Sequence, residues 1–389
     1  MKNFFFYIVK YIKWIYTLYF YIGNACVHLL KMFVRPDDKL LLFVSFGGRR
    51  FDDSPKVIYD ELLKDKRFDG YTLVWAFNTP EKYVIERGEK VKTDTLKYFV
   101  TALKARVWVT NSTVERGLAF KGRNTLYFNT WHGTPIKKMG SDVVGNSKSF
   151  RGKGKLDVDI FTVQGNYEAD IFTRVFRIRQ DAIAKIGLPR NDIYMNYTEE
   201  YAEKLRRKLN IPLRKKVILY APTFREYESE HGRERVLNVP ISLSKWEEKL
   251  GEEYMLLFRA HYEVAKSMNI TDSAFIKDMS LYPQLEDLMI ISDILVSDYS
   301  SIFFDYSIMH KPMLSFCYDY ERYAMERGMY FDIRDYLPNA DDEDNLIKLV
   351  LSTDTTAESV ATKAFQETFV NEYGTAAKKS LDIIYDNIK

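Results

Sequence analysis

Hydroxyl and carboxylate side chains cluster in the segment LVSDYSSIFFDYSIMHKP, residues 295–312, directly after an apolar run. The run is short enough for a buried strand of a parallel sheet and comprises Ile290, Ile291, Ile294, Leu295 and Val296. Asp298, Ser300 and Ser301 are residue types preferred where a helix begins. Backbone N–H groups at such a turn point to one spot, where the helix dipole also favours negative charge. The segment therefore predicts a phosphate-binding turn, although a plain helix cap would show the same pattern.

A histidine stands at the end of another predicted strand, in the segment NTWHGTPIKKMG, residues 129–140. In a doubly wound sheet the loops that follow the carboxyl ends of the strands line the ligand crevice, and His132 lies in such a loop. Gly133 lets the backbone turn sharply there. Histidine titrates near neutral pH and can take the proton from an attacking alcohol, a contribution of about 10² to 10⁴ in rate. A single histidine is more often structural, and the strand-end position is what favours a general base.

Cationic residues follow two further predicted strands. Arg259 and His261 lie two positions apart after residues 254–258, so strand alternation sends both side chains to the same side, where they can bind one anion. A phosphate leaving group that gains negative charge requires such donors. Arg225 has the same position after the strand in ILYAPTFRE, and Asp298 can orient a hydroxyl group or His261. The alternative is a buried arginine paired with an acidic residue.

Three catalytic motifs are absent from the sequence. It contains no G-x-x-x-x-G-K-[ST] loop, no paired-cysteine metal spacing and no G-x-S-x-G elbow. These absences argue against a P-loop kinase, a zinc site and a serine hydrolase. The carboxylates show no clustered spacing that demands a metal ion, so we expect no cofactor, and a metal requirement stays open.

Length, charge and cysteine content limit the class of protein. At 389 residues the chain is long enough for two domains, each with its own core. A net charge of +3 and scattered tyrosines do not indicate nucleic-acid binding. The two cysteines, Cys26 and Cys317, cannot form a disulfide framework, which indicates a reducing compartment such as the cytoplasm.

The first 35 residues carry five cationic residues, no acidic residue and many aromatic and aliphatic ones. This composition is typical of a segment that binds a membrane surface. The uncharged run 14–30 is slightly short for a spanning helix and is rich in tyrosine, which prefers the interface. We therefore expect a helix or helix pair lying on an anionic leaflet. A spanning helix and a core helix of the folded domain are the alternatives.

From residue 39 onward, short buried strands alternate with amphipathic helical stretches. The first series of predicted strands covers residues 40–46, 72–77, 107–110, 125–130 and 160–163. After a polar, charged connection, residues 191–216, a second series covers 217–220, 254–258, 275–277, 294–296 and 313–316. Two such series predict an α/β fold of two doubly wound, Rossmann-like domains that face a cleft.

Six motifs, in this order, resemble the CDP-glycerol glycerophosphotransferase family, the enzymes that prime and polymerise teichoic acids and some capsular polymers. They are NTWHGTPIKKMG, FTVQGNYEADIFTRVF, IGLPRND, ILYAPTFRE, LLFRAHYE and SDYSSIFFDY. The resemblance covers roughly residues 41–330. Within the family, WHGTP, GLPRND and the FFDY after SDYSS look more like the polymerising members.

The resemblance implies a glycosyltransferase-B fold, with a membrane-associating segment at residues 1–35, an acceptor-side domain at 36–195 and a CDP-donor-binding domain at 196–389. The last helix can pack back on the first domain. The implied catalytic residues are His132 and His261. The implied donor-binding residues are Arg225, Arg259, Asp298, Ser300, Ser301, Pro189 and Asn191, and the implied acceptor-side residues are Gly133, Thr134, Lys137 and Lys138.

The activity implied by the resemblance is transfer of glycerol phosphate or ribitol phosphate from a CDP-polyol to a hydroxyl group, with release of CMP. The acceptor is a lipid-linked polyol phosphate or disaccharide at the cytoplasmic face of the bacterial cell membrane, where the enzyme is peripheral. Glycerol and ribitol donors, and priming and polymerising activities, stay open. A sugar-nucleotide glycosyltransferase or epimerase on the same fold, and a non-catalytic nucleotide-sensing membrane scaffold, are the alternative functions.

Two further segments allow two interpretations each. The two glycines of SFGGRR, residues 45–50, follow a strand, so this loop lines the acceptor side or is only a tight turn. A basic run either guides a polyanionic chain toward the base or is a solvated loop. Its members are Lys137, Lys138, Lys148, Arg151, Lys153 and Lys155.

Overall fold

The computed structural model describes residues 12–143, 156–223, 225, 239–260 and 270–389. Contacts divide the chain into two compact units. The first comprises Met1–His132, Met139–Asp192 and Glu372–Lys389, and the second comprises Gly133–Lys138 and Ile193–Asn371. The chain thus changes unit after Asp192, close to the boundary predicted at residue 195, and its carboxyl-terminal segment groups with the first unit.

A seven-stranded sheet forms the centre of the first unit. Its strands are β1 Asp37–Val44, β2 Thr72–Phe77, β3 Glu89–Lys92, β4 Ala105–Thr110, β5 Leu126–Asn129, β6 Ile160–Val163 and β7 Ile183–Lys185. They pair in the order β3-β2-β1-β4-β5-β6-β7, and all the pairs are parallel. The order reverses between β1 and β4, which is the switch point of a doubly wound sheet. The pattern of apolar runs does not predict the edge strands β3 and β7, because β3 is mostly polar and β7 has only three residues.

A six-stranded sheet forms the centre of the second unit. Its strands are β8 Lys216–Tyr220, β9 Tyr254–Phe258, β10 Ile276–Asp278, β11 Ile294–Ser297, β12 Met313–Phe316 and β13 Asn339–Ala340. They pair in parallel in the order β10-β9-β8-β11-β12-β13. The order reverses between β8 and β11, so the second unit has a switch point of the same kind.

Helices connect most of these strands. In the described ranges they are α1 Lys13–Lys31, α2 Asp53–Leu62, α3 Leu96–Lys104, α4 Asn166–Phe176, α5 Ile193–Asn196, α6 Glu199–Lys208, α7 Leu243–Leu250, α8 Leu285–Ile291, α9 Ile302–Ser307, α10 Tyr320–Arg327, α11 Glu343–Ser352, α12 Val360–Phe369 and α13 Ala376–Ile388. The predicted polar connection 191–216 contains the two helices α5 and α6. Ile290 and Ile291, predicted to belong to a strand, end helix α8, and β11 begins only at Ile294.

Large apolar side chains fix the strands from which the site loops start. In the first unit, Phe43 of β1 and Trp75 of β2 stack with ring centroids 5.3 Å apart, and Tyr59 of α2 packs edge-on against both. In the second unit, Tyr220 of β8 stacks on Trp246 of α7 at 5.9 Å. Full burial of one such side chain stabilises the fold by about 1.5–3 kcal/mol. The strand ends are therefore rigid supports for the loops that follow them.

Helix α1 packs one side on the first unit and exposes the other. Val27 is buried, the Tyr19 hydroxyl donates to the Arg116 carbonyl oxygen at 2.9 Å, and Asn24 Oδ1 accepts from the Ala119 N–H at 2.8 Å. Across the part of the chain that the structure describes, no helix is both long and apolar enough to cross a membrane.

Candidate functional site

The loop that follows β1 has an unusual backbone conformation at the switch point of the first unit. Phe46, Gly47 and Gly48 have φ angles of 45°, 64° and 87°, all in the left-handed region. Two side chains after β4 hold this conformation. Asn111 Oδ1 accepts a hydrogen bond from the Phe46 N–H at 2.7 Å, and Ser112 Oγ accepts one from the Gly47 N–H at 3.0 Å. The SFGGRR loop is therefore a fixed part of the crevice at this sheet edge.

His132 is half-buried beside this loop. Its ring stacks on Trp131 with centroids 4.2 Å apart and lies 5.4 Å from the Phe46 ring. Its Nδ1 atom is 2.6 Å from the backbone carbonyl oxygen of Asn111. A carbonyl oxygen only accepts hydrogen bonds, so this contact assigns the proton to Nδ1 and leaves the lone pair on Nε2. His132 thus has the tautomer that a general base requires.

The pKa of His132 lies below its ordinary value of 6.5. Burial is the largest cause, and the positive charges of Arg190 and Arg49 act in the same direction. The hydrogen bond to Asn111 and the negative charge of Asp53 act against it. The imidazole is therefore neutral at pH 7 and able to accept a proton.

A buried ion pair near His132 is not among the residues predicted from the sequence. Arg190 Nη1 lies 2.7 Å from Asp53 Oδ2, and the two side chains are only 9% and 8% exposed. Asp53 begins helix α2 with a φ of 62°. No local sequence pattern indicates that Asp53 and Arg190 pair, because 137 positions separate them.

Pro189 and Asn191, expected to bind the donor, are buried inside the first unit. Pro189–Asp192 forms a 3-10 helix. The Asn191 amide donates to Gln164 Oε1 at 2.7 Å, and the Asn191 side chain is fully buried. These contacts support the turn that carries Arg190. A role of Pro189 and Asn191 in donor binding stays a prediction.

Arg225 in the second unit is 2% exposed and is bound by two carboxylates. Its Nη1 lies 2.8 Å from Asp298 Oδ2, and its Nε and Nη2 donate to the two carboxylate oxygens of Asp319 at 2.8 and 3.0 Å. Nη1 also donates to the Thr223 carbonyl oxygen at 2.6 Å. Every guanidinium nitrogen is thus engaged within the protein. Arg225 and Asp298 are both buried and form an ion pair. This is the alternative named for the cationic residues in the sequence, a buried arginine paired with an acidic residue.

Three tyrosine rings surround this guanidinium. The centroids of Tyr299, Tyr318 and Tyr323 lie 5.2, 5.0 and 5.1 Å from Cζ of Arg225, and the rings of Tyr299 and Tyr323 stack at 4.3 Å. Burial alone lowers the pKa of Arg225, but the paired carboxylates raise it above its ordinary value, so the charge is kept. We call Arg225, its two carboxylate partners and the three rings the Arg225 cluster. It joins the loop after β8 to the loop after β11.

Ser300 and Ser301 lie at the more accessible end of the loop after β11, where both are partly exposed. Within the described residues, neither backbone N–H group donates a hydrogen bond to a backbone carbonyl oxygen. The Ser300 hydroxyl accepts from the Ile302 N–H at 3.3 Å. Helix α9 has only six residues, so its dipole is small. The N–H groups and hydroxyls themselves are therefore the groups that can bind an anion here.

Arg259 follows β9 and is oriented by the backbone. Its Nη1 donates to the carbonyl oxygens of Met279, at 2.9 Å, and Tyr282. His261 lies outside the described residues, so its placement beside Arg259 stays a prediction. The cationic residues Lys148, Arg151, Lys153 and Lys155 also lie outside the described residues.

The segment that follows His132 groups with the second unit. Lys137 forms an antiparallel bridge with Met329, and its amine donates to the Tyr323 hydroxyl, 3.1 Å away, at the edge of the Arg225 cluster. Lys138 donates its backbone N–H to the Gly328 carbonyl oxygen at 2.9 Å. The two lysines thus lie against the second unit, although the sequence predicts acceptor-side residues of the first domain.

Gly133 and Thr134 connect His132 to this segment. Gly133 has a φ of 152°, which few residues other than glycine adopt, and Thr134 is fully buried. Thr134 therefore contributes to packing, and a direct contact of either residue with an acceptor stays a prediction.

The protein thus has two doubly wound α/β sheets, one with a neutral histidine at a strand end and the other with a hydroxyl-bearing loop at a strand end. The chain matches the model of the family "CDP-Glycerol:Poly(glycerophosphate) glycerophosphotransferase" over residues 27–386. It belongs to this family, so the predicted family and the predicted glycerophosphotransferase class of enzyme are confirmed.

Two similar proteins differ in how much of their own length this chain covers. It is 33% identical over 370 residues to the teichoic acid poly(glycerol phosphate) polymerase of Staphylococcus epidermidis, covering 90% of this chain and 51% of the relative. It is 31% identical over 369 residues to the teichoic acid glycerol-phosphate transferase of Staphylococcus aureus, covering 90% and 94%. The chain therefore spans about half the length of the first relative and nearly all of the second.

Solved structures show the same fold. The chain superimposes on the wall teichoic acid polymerase TagF with a TM-score of 0.82 and 30% identity, covering 94% of this chain and 93% of that one. The UDP-GlcNAc 2-epimerase of Methanocaldococcus jannaschii, at 12% identity and a TM-score of 0.54, shares the fold alone. The predicted α/β architecture with parallel sheets is thus confirmed.

Proposed function

We propose that this protein transfers glycerol phosphate or ribitol phosphate from a CDP-polyol to a hydroxyl group of a lipid-linked acceptor and releases CMP. Relatives named as teichoic acid glycerol-phosphate polymerases, transferases and primases support the proposal, as does likeness to a TagF structure described as soaked with CDPG. The observation that carries it is the contact between His132 Nδ1 and the Asn111 carbonyl oxygen, which leaves Nε2 as a proton acceptor.

In the proposed reaction the acceptor oxygen attacks the phosphorus atom that bears the polyol, and its proton moves to Nε2 of His132. The bond between that phosphorus and the bridging oxygen of the pyrophosphate breaks, and CMP leaves with the electron pair. Positioning and charge stabilisation dominate phosphoryl transfer, and the base adds a factor of about 10² to 10⁴.

The donor pyrophosphate is proposed to bind the N–H groups and hydroxyls of Ser300 and Ser301 and the guanidinium of Arg259. His261 is proposed as the second catalytic residue, and the Arg225 cluster as the support that holds the two donor loops. The glycosyltransferase-B arrangement implied by the resemblance, with the nucleotide held mainly by residues 196–389, is part of this proposal.

The experiment that tests the proposal offers the protein CDP-glycerol, CDP-ribitol and UDP-sugars in turn, with a lipid-linked primer. We expect CMP release and products that grow by one polyol phosphate at a time, read by mass spectrometry. Products from UDP-sugars alone would instead support the glycosyltransferase or epimerase function. Tight CDP binding without CMP release on any acceptor would support the nucleotide-sensing scaffold.

Arg259→Ala is expected to weaken binding of CDP by about 10- to 100-fold and binding of cytidine far less. A charge-assisted hydrogen bond to phosphate contributes about 1.5–3 kcal/mol, and cytidine has no phosphate. Calorimetry with both ligands measures the difference, and cytidine serves as the internal control. Equal losses for the two ligands would mean that the substitution damages the unit generally.

A peripheral position at an anionic membrane surface is also part of the proposal. Trp14, Leu18, Tyr21 and Ile22 are 68%, 53%, 69% and 55% exposed, and their spacing places them on one face of α1. Amphipathic helices of this composition bury their apolar face in the boundary between lipid headgroups and acyl chains. Lys31 follows this apolar face and is a residue type that anionic lipid attracts.

The double substitution Leu18→Ser and Ile22→Ser is expected to lower binding to anionic vesicles at least tenfold. Full burial of one such side chain is worth about 1.5–3 kcal/mol, so two partly inserted ones exceed the 1.4 kcal/mol of a tenfold change. Co-sedimentation with vesicles measures the effect. Val84→Ser is the matched control, because Val84 is 89% exposed elsewhere on the first unit. Unchanged binding of the double variant would rule out α1 as the docking element.

A further inference from the structure

Arg49 is presented on a rigid backbone at the end of the left-handed loop after β1. Its carbonyl oxygen accepts a hydrogen bond from the Tyr83 hydroxyl at 2.6 Å, and the carbonyl oxygen of Gly48 accepts one from the Asn78 N–H at 2.7 Å. A Cβ atom on Gly48 would lie 2.7 Å from Thr93 Cγ2, so the loop passes too close for any side chain. The backbone therefore fixes where this arginine begins, while its side chain is exposed.

The charge of Arg49 is not compensated, in contrast to neighbouring arginines. Arg116 lies 2.8 Å from Asp94, and Arg190 is paired with Asp53. In the residues that the structure describes, no carboxylate lies within salt-bridge distance of Arg49. Burial of the guanidinium is the largest cause of the lowered pKa of Arg49, and the positive charges of Arg116 and Arg50 act in the same direction. An arginine that starts from a fixed backbone and has no carboxylate partner among the described residues favours a bound anion.

The positive charge of Arg49 contributes to the lowered pKa of His132. The same loop places the Phe46 ring 5.4 Å from the His132 ring. An anion held by Arg49 would thus lie near the histidine that is proposed to take the proton of the acceptor. The acceptor is the substrate whose hydroxyl must reach that histidine.

We propose that Arg49 binds a phosphodiester of the acceptor, the one next to the terminal hydroxyl of a polyol-phosphate chain. The inference rests on the proposed function and adds the residue that recognises this substrate. In a terminal polyol phosphate, hydroxyl and phosphodiester are a few bonds apart, so one end reaches His132 while the other contacts a guanidinium. A lipid that ends in a neutral sugar offers no such anion. Arg49 therefore selects chains that already carry a polyol phosphate.

The test compares Arg49→Gln with the wild-type protein on two soluble lipid analogues, one ending in glycerol phosphate and one in a sugar hydroxyl. We expect the variant to raise KM for the first analogue about 10- to 100-fold, as loss of a charge-assisted contact should. kcat at saturation, KM for CDP-glycerol and activity on the second analogue should stay unchanged. At pH 8 the base is neutral in both proteins, so a change in the pKa of His132 does not contribute.

Arg123→Gln is the matched control. Arg123 is also exposed in the first unit, and the described residues place no acidic partner within salt-bridge distance.

An unchanged KM in Arg49→Gln, or an equal rise for both analogues, would overturn the inference, and a raised KM for CDP-glycerol would assign Arg49 to the donor instead. If the wild-type protein transfers to neither analogue, the proposed function fails. The anion site at Arg49 is then tested by binding of sn-glycerol 3-phosphate to both proteins in the absence of donor. Tenfold weaker binding by Arg49→Gln would support the site, and equal binding would overturn it.

Discussion

His132→Ala is expected to lower turnover by about 10² to 10⁴ while binding of CDP stays within a factor of two to three. The side chain is the proposed general base, and loss of a positioned base has this cost. The groups proposed to bind the donor belong to the second unit, whereas His132 belongs to the first. Steady-state rates of CMP release, together with CDP affinity measured by calorimetry, separate the two effects. A variant that turns over at the wild-type rate would show that another group takes the proton.

Two controls sharpen this result. His132→Gln fills most of the same space, so a loss in both variants reports the missing base rather than lost packing on Trp131. His28→Gln removes a histidine whose Nδ1 also lies beside a carbonyl oxygen, that of Asn24, but which is exposed on helix α1. It should leave turnover on a soluble acceptor unchanged.

The pH profile gives an independent check on the same residue. Because the pKa of His132 lies below 6.5, the base is deprotonated at neutral pH and becomes protonated only on acidification. We expect kcat/KM of the wild-type protein to be flat above about pH 7 and to fall through a limb below pH 6.5. Residual activity of His132→Gln should lack that limb, and a limb that persists would belong to another group.

Strand positions could be predicted because they depend on local information. Runs such as residues 73–77 and 254–258 are apolar throughout, as strands buried on both faces require, and the structure has strands at the predicted 72–77 and 254–258. The strand-end position of His132 follows from the same reasoning. The tautomer of His132, which leaves Nε2 free to accept a proton, does not follow from the sequence. The Asn111 carbonyl that sets the tautomer comes from another strand end, 21 positions earlier, and no side-chain pattern reveals a backbone contact.

The rule that residues following a parallel strand line the ligand crevice does not predict the surroundings of the Arg225 side chain. A position after β8 says where the Cα atom lies, but not whether the side chain points to solvent or back into the unit. The outcome depends on Asp319, which lies 94 positions away and is not marked by any motif. With two carboxylates available, burial of the guanidinium costs less than it would alone. Long-range pairing of this kind also explains why the Asp53–Arg190 pair could not be predicted.

Arg225→Met is expected to destabilise the second unit by about 3–5 kcal/mol, because it leaves Asp298 and Asp319 buried or half-buried without their cation. Hydrogen exchange of peptides from β8 and β11 should accelerate by two to three orders of magnitude, whereas peptides from β1 and β4 in the first unit should be unaffected. A direct contact of Arg225 with the donor phosphate, as the family resemblance implies, would instead give weaker CDP binding with unchanged hydrogen exchange.

Two further variants decide between these accounts. Arg207→Met is the surface control, since Arg207 is 66% exposed in its pair with Glu203 and such pairs contribute at most about 1 kcal/mol. Adding Asp298→Asn and Asp319→Asn to Arg225→Met removes the stranded charges and should restore part of the protection. If the triple variant is protected but still does not bind CDP, the cluster is needed for loop geometry in addition to stability. If Arg225→Met exchanges like the wild-type protein, the guanidinium is not a structural support, and its assignment to the pyrophosphate would be the better one.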